Sequence, residues 1–257
     1  RIVFHRLGFT CLVVLVAALA ACRKPAPQPP APQAPDTAAD ATRTIRIGVI
    51  AKSQSNPVFQ AARQGALDAA KELGPRYGVN VEILWQTPVD EDAQEQADKV
   101  EQLANQGVDG IAISCSEAGK VTPAIRNAVE NRGVRVICFD SDAPTSGRFA
   151  YHGIDDIECG RQVMAALAAQ MNGAGQVAIL AGNQTAPNLQ KRAEGVRIEA
   201  ANYPGITIVD TFYHKETPQD AAAKVEQVMQ AHPDITGWAM IGGWALFTSN
   251  ALKWEPG

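Results

Sequence analysis

Residues 93–114 read AQEQADKVEQLANQGVDGIAIS and change structural period within a few positions. Ala93, Ala97, Val100 and Ala104 recur at the spacing that puts them on one face of a helix, following the acidic start at Asp90. Gly110–Ser114 is then a short apolar run, long enough for a buried strand and too short for a helix. A helix with one apolar face leading into such a strand predicts a helix packed on a parallel sheet.

The same passage returns further along the chain. Lys99-Val100-Glu101-Gln102 recurs as Lys224-Val225-Glu226-Gln227, and in each copy an aspartate, Asp109 or Asp234, comes seven residues after the glutamine and just before an apolar run. In the second copy Ala221, Val225, Val228 and Met229 form the apolar face, after Thr217-Pro218, which reads as a cap followed by a first-turn proline. Four identical residues can coincide by chance, but their matched placement before Gly110-Ile111-Ala112-Ile113 and Gly237-Trp238-Ala239-Met240 predicts two similar lobes. The other runs fit the same alternation. Strands are expected at Ile45–Ala51, Val79–Trp85, Val134–Phe139, Phe149–Ile154, Gln176–Ala181, Ile206–Phe212 and Gly237–Ile241, with helical stretches between them. The fold class is therefore α/β, with two doubly wound parallel-sheet lobes and a cleft between them.

The amino terminus has a different character. Arg1, His5 and Arg6 precede an apolar run, Leu7–Ala21, that has the length of a secretory segment and is short for a membrane span. It ends in Leu19-Ala20-Ala21-Cys22, which resembles the bacterial lipobox and implies a diacylglycerol-modified Cys22; an ordinary secretory signal with an incidental cysteine is the alternative. Residues 23–43 are mostly Pro, Ala, Gln, Thr and Asp, with little to bury, and read as a tether. The expected organisation is a signal peptide over 1–21, a lipidated cysteine and tether over 22–43, one lobe over 44–152 and a second over 153–257.

Composition excludes several function classes. The net charge of −4 and the lack of a basic cluster argue against nucleic acid as a partner. Of the five cysteines, Cys115, Cys138 and Cys159 stay with the mature chain; their spacing fits no metal site, and they read as small buried residues or as a disulfide between two of them. The histidines, His5, His152, His214 and His232, show no ligand spacing. Gly-x-Ser-x-Gly, the P-loop and Gly-x-Gly-x-x-Gly are all absent, so neither an enzyme nor a cofactor site is expected.

Several segments carry a resemblance, in order along the chain. Ile45-Arg46-Ile47-Gly48-Val49-Ile50, then Ser55-Asn56-Pro57-Val58-Phe59, then Gly65-Ala66, resembles the opening of the type I periplasmic binding proteins for ribose and related sugars. Gln106-Gly107-Val108-Asp109-Gly110-Ile111 is similar to that family's helix–glycine–strand junction. Val134–Asp142, with Phe139-Asp140-Ser141-Asp142 at its end, resembles its fourth strand, and Gln190-Lys191-Arg192-Ala193-Glu194-Gly195 the start of its cleft-facing helix. The resemblance implies a solute-binding lipoprotein outside the cytoplasm. It would capture a small sugar or polyol as a monomer and deliver it to an ABC permease in the membrane. The alternative output is presentation of a sugar or autoinducer-2-like ligand to a chemoreceptor or sensor kinase. A lactose-repressor-type regulator would need a helix-turn-helix where this chain has a secretory segment.

In open parallel sheets ligands lie beyond the carboxyl ends of the strands, where Asn56, Ser114, Asp140 and Gly182-Asn183 fall. A sugar needs flat faces, for which Phe59, Trp244 and Trp85 are candidates, and paired hydrogen-bonding groups, for which Asn56, Asp140, Asn188, Gln190 and Arg192 are candidates. Asp140 leads, because a carboxylate at the end of an apolar strand is costly without partners; it could also cap the Ser141-Asp142 turn. Asn56 equally suits initiation of a helix before Pro57, and Phe59 and Trp244 equally suit core packing. Ser141 stands where ribose binders carry arginine, and Gln190 where they carry their ligand arginine, with Arg192 close by, so ribose itself is not the expected ligand. A hinge is expected near His152–Asp155. A family member would continue beyond Trp254 with further strands, so the chain reads as a fragment.

Overall fold

Strand and helix alternate along the computed structural model, which describes residues 43–247. The signal segment, Cys22, the tether to residue 42 and residues 248–257 lie outside the described residues. In order, the elements are β1 (Thr44–Ile50), α1 (Pro57–Arg76), β2 (Asn80–Trp85), α2 (Ala93–Asn105), β3 (Gly110–Ile113), α3 (Ala118–Arg132), β4 (Arg135–Phe139), β5 (Ala150–His152), α4 (Asp156–Gln170), β6 (Ala174–Ala181), α5 (Pro187–Ala200), β7 (Gly205–Tyr213), α6 (Pro218–Ala231) and β8 (Ile235–Met240). A single 3-10 turn follows at Trp244–Leu246. Among the described residues no helix is long and apolar enough to cross a membrane.

The strands form two parallel sheets, one in the order β2-β1-β3-β4-β5 and one in the order β7-β6-β8. This is the α/β class that the alternation predicts, and the repeated KVEQ segment falls at the same place in both halves. It lies in α2, between the flanking strand β2 and the opposite flanking strand β3, and in α6, between β7 and β8. The predicted apolar faces bury Ala97, Val100 and Ala104 in α2 and Ala221, Val225 and Val228 in α6. One expectation fails: Met229, in the last turn, is 47% exposed, while Ala222, two turns earlier on the same side of the helix, is buried. The apolar face of α6 thus points where the spacing suggested, but at this edge its burial does not extend to the last turn.

Each sheet has its own core. Ile50, Ile111, Ile113, Val136 and Cys138 pack against Val100 and Leu103 of α2 and Val121 and Ile125 of α3. Val177, Ile179, Leu180 and Ala239 pack against Met164 of α4, Val196 of α5 and Val225 of α6. Burying such side chains contributes roughly 1.5–3 kcal/mol each before chain entropy is set against it. The helices start where their caps require. Asn56 accepts from Val58 N ahead of Pro57, Asp92 from Gln94 N and Glu95 N, Asp155 from Glu158 N, and Thr217 from Asp220 N ahead of Pro218. Two glycines set the closest helix crossing. A Cβ on Gly160 of α4 would strike the carbonyl of Arg192, and one on Gly195 of α5 would strike the carbonyl of Ile157. The backbones of α4 and α5 therefore lie in direct contact, which brings Arg192 to the amino end of α4.

Candidate ligand-binding cleft

Parallel strands deliver their loops to one end of a sheet. In the first sheet these loops carry Lys52 after β1, Ser114 after β3 and Asp140 after β4; in the second they carry Asn183 after β6 and Glu216 after β7. The two sets meet. Lys52 Nζ donates to Asn188 Oδ1 at 3.3 Å and lies 3.5 Å from Glu216 Oε1, while Asn188 Nδ2 donates to Asp140 Oδ1 at 3.4 Å and Ser114 Oγ to Asp140 Oδ2 at 2.7 Å. Beside them Asn183 Nδ2 donates to Glu91 Oε1 at 3.1 Å. A chain of polar side chains, Glu216–Lys52–Asn188–Asp140–Ser114, thus runs from one sheet's loops to the other's.

Asp140 is held in an unusual backbone state. Its φ of 58° is left-handed, which aspartate tolerates better than most residues, and the flanking bonds hold it there. Its N–H donates to the His152 carbonyl, its own carbonyl accepts from the Tyr151 hydroxyl at 2.9 Å, and Ser141 N donates to the Phe139 carbonyl. Burial, with help from Asp156, Asp140 and Asp142, pushes the Tyr151 hydroxyl up to about 12, so it stays a donor.

Lys52 is 2% exposed, and a lone ammonium at that depth would be expelled or neutralised. Burial lowers its pKa, but Glu216, Glu91 and Asp140 outweigh that effect and leave it raised, so it remains charged. Burial pushes the Glu216 carboxyl up to about 7, Lys52 opposes this, and Glu91 adds to it. His214 behaves differently. Burial holds its pKa down, its Nδ1 lies 2.5 Å from the Lys215 carbonyl, and its ring meets Trp244 edge-on at 5.2 Å. A carbonyl only accepts, so the proton sits on Nδ1 and Nε2 is a bare acceptor, with no partner among the described residues.

The residues expected from sequence separate into groups. Ser114, Asp140 and Asn188 are brought together in the chain of contacts. Asn56 is buried, and its side chain caps α1. Phe59 and Trp244 are 3% and 7% exposed, the burial that core packing also produces. Ser141 is fully buried, and its Oγ finds no partner among the described residues. Gln190 turns outward and donates to the Gln184 carbonyl. Arg192 is committed to its own half: it donates to Asp156 Oδ1 at 2.9 Å and to the Ile241 carbonyl at 3.2 Å. Trp85 lies under the Arg63 guanidinium of α1. Asp142 pairs with Arg148 and caps Ala143 N, a turn-forming role. Cys115 and Cys138 are buried free thiols with sulfurs 3.9 Å apart, and Cys159 is free and half-buried.

Open space lies on the other side of the Lys52–Glu216 pair. A cavity of about 670 Å³ is lined by Ser53, Asp90, Glu91, Asn183, His214 and Glu216, among others. None of the nine side chains expected to bind ligand lines it; Asn183, noted only for its place past a strand end, does. Sequence reasoning missed Lys52 and Glu216. Lys52 sits two residues past β1 as Asp140 sits one past β4, but a lysine beside serines reads as solvated. The sequence signal available was its position rather than its type.

This architecture has relatives. A family model described as periplasmic binding protein domain matches residues 47–254. A xylitol-binding protein of Mycolicibacterium smegmatis is 28% identical over 68% of this chain and 47% of its own length. A D-ribose/D-allose-binding protein of Pseudomonas aeruginosa is 26% identical over 77% of this chain and 62% of its own. The chain therefore spans about half to three-fifths of these curated relatives. An ABC transporter solute-binding protein from Burkholderia graminis, solved in complex with D-arabinose, superposes with a TM-score of 0.72 at 32% identity, over 79% of this chain and 67% of that one.

Proposed function

Since the chain belongs to the periplasmic binding protein family, of the sugar-binding type I kind, we propose that it captures a small uncharged sugar or polyol between its two sheets. Delivery to an ABC-type importer follows, without chemical change to the solute. The observation that carries this reading is the buried polar chain from Glu216 through Lys52 and Asn188 to Asp140. Polar groups so deep are costly unless paired, and pairs contributed by two different sheets are ones that a hydroxylated solute can enter and bridge. The relatives named above bind xylitol, ribose and allose, and arabinose.

In this reading residues 44–152 and 153–257 are lobes that close about a hinge near His152–Asp155, and the permease recognises the closed form. Cys22 carries the lipid that holds the protein at the membrane outside the cytoplasm, and residues 23–43 are the tether. The test is thermal unfolding in xylitol, D-ribose, D-arabinose and D-allose. A solute at about a hundred times its Kd adds roughly 2.7 kcal/mol and raises the midpoint by roughly 5–10 °C. That rise should vanish in Asp140→Ala. No rise with any of the four, in a protein that unfolds cooperatively, would overturn the proposed capture of these sugars and polyols.

A further inference from the structure

The cavity beside the polar chain has a lopsided chemistry. Asp90, Glu91, Glu216 and Asp220 line it, against Lys215; Lys52 does not itself line it but pairs with Glu216 at 3.5 Å. Lys52 is already satisfied by Glu216 and Asn188, so its charge is spent within the protein. His214 lines this cavity as well, but its Nε2 is itself buried and finds no partner among the described residues, so the ring forms wall and the acceptors presented are the carboxylates.

Resting on the function proposed above, we propose that Lys52 and Glu216 determine specificity, making the cavity a charge-selective site that accepts hydroxylated solutes and rejects the corresponding sugar acids. The argument is one of donors and acceptors. The carboxylates of Glu216, Glu91 and Asp90 are acceptors, and they call for a ligand rich in donors. A hydroxyl gives its proton to Glu216 and takes one from Lys52, so a vicinal diol inserts at the 3.5 Å ion pair without leaving either charge unpaired. A carboxylate only accepts. It could gain Lys52 only by displacing Glu216, and it would bring a negative charge into a cavity already lined by Asp90, Glu91 and Asp220, whose repulsion opposes it whether or not Glu216 takes up a proton.

The experiment compares each neutral solute with its own acid by calorimetry: D-arabinose against D-arabinonate, and xylitol against D-xylonate. If neither neutral solute binds, capture of these two solutes is what fails, and the comparison passes to whichever neutral sugar does bind and its own acid. With a binder in hand, the acid is expected to bind at least about a hundredfold more weakly at pH 7.5. Glu216→Gln removes one negative charge at nearly constant shape and should narrow that ratio about tenfold. Lys52→Met should cost the neutral solute tenfold or more; should it fail to fold with Glu216 left unpaired, Lys52→Met in the Glu216→Gln background serves. An acid that binds within about threefold of its neutral parent, or a ratio unmoved by Glu216→Gln, would overturn the proposal while leaving solute capture standing.

Discussion

The β2-β1-β3 and β7-β6-β8 units are built alike and used differently. In each, the first strand in sequence is central, the second and third flank it on opposite sides, and a helix bearing KVEQ joins the flanking pair. What differs lies outside the shared frame. After β1 the loop delivers Lys52, whereas after β6 the equivalent loop delivers Gly182 and Asn183; after β2 comes Glu91, and after β7 comes Glu216. The apolar period fixes the frame and leaves the loop side chains free to vary, so each half contributes what the other lacks: a cation from the first and its carboxylate from the second.

The helix layers differ as well, and this gives the largest test. The α4/α5 crossing relies on glycines whose missing Cβ atoms leave room for carbonyls, while in the first half Gly48 of β1 faces only the side chain of Leu103. A carbonyl within a helix cannot yield; a leucine can change rotamer. Gly195→Ala is therefore expected to cost about 3 kcal/mol despite the better helix propensity of alanine, lowering the unfolding midpoint by roughly 6–12 °C. Gly48→Ala should cost about 1 kcal/mol. Equal losses by thermal unfolding would mean that the crossing is no tighter than the sheet–helix contact.

Much of the frame was legible in the sequence because it depends on periodicity. The eight predicted strands fall within about two residues of those observed at most of their ends, and the KVEQ recurrence located the two matching helices. Met229 was misassigned because helical spacing says which side of a helix is buried but not how far along the helix the burial extends. The site was legible only in part. Ser114 and Asp140 stood out as polar residues past strand ends, and Asn188 as a side chain able to pair hydrogen bonds. Gln190 and Arg192 were chosen by resemblance, yet one faces solvent and the other is held by Asp156. Lys52 escaped because what makes it interior is Asn188, 136 residues away, and Glu216 beyond it. No local pattern carries that information.

Protonation sharpens the comparison of the two charge contributions. The folded carboxyl of Glu216 sits at about 7, above its ordinary value of 4.5, so between those values the folded state binds a proton that the unfolded state has released. This contribution is fully present below pH 4.5 and is lost as pH rises to about 7. Its size is on the order of 3 kcal/mol, or roughly 6–12 °C. Lys52, raised from 10.5, acts only in alkali. His214, lowered by burial, favours folding as pH rises through its range and so opposes Glu216 there. The readout is therefore the difference between Glu216→Gln and the parent, in which His214 cancels. That difference should move in favour of the variant from pH 4.5 to 7 and then level off. A flat difference would mean that Glu216 ionises as readily in the folded protein as in the unfolded chain.

The smallest effect tests the repeat itself. Asp109 and Asp234 occupy the same place after KVEQ, but their surroundings differ. The Asp109 carboxylate accepts from Arg46 N of β1 at 2.8 Å and lies 3.7 Å from the Arg43 guanidinium, tying the loop before β3 to the central strand. Asp234 is exposed in the turn before β8, and in the second half it is Thr236 that bonds to the central strand, donating to the Gln176 carbonyl and accepting from its N–H. A charge-assisted bond to backbone is worth about 1 kcal/mol where it is partly exposed, and a solvated turn carboxylate close to nothing. Asp109→Ala should therefore lower stability by about 1 kcal/mol in urea unfolding at constant slope, and Asp234→Ala by less than about 0.5. If the two cost the same, the aspartates do one job in both halves, and the repeat constrains the loops as well as the frame.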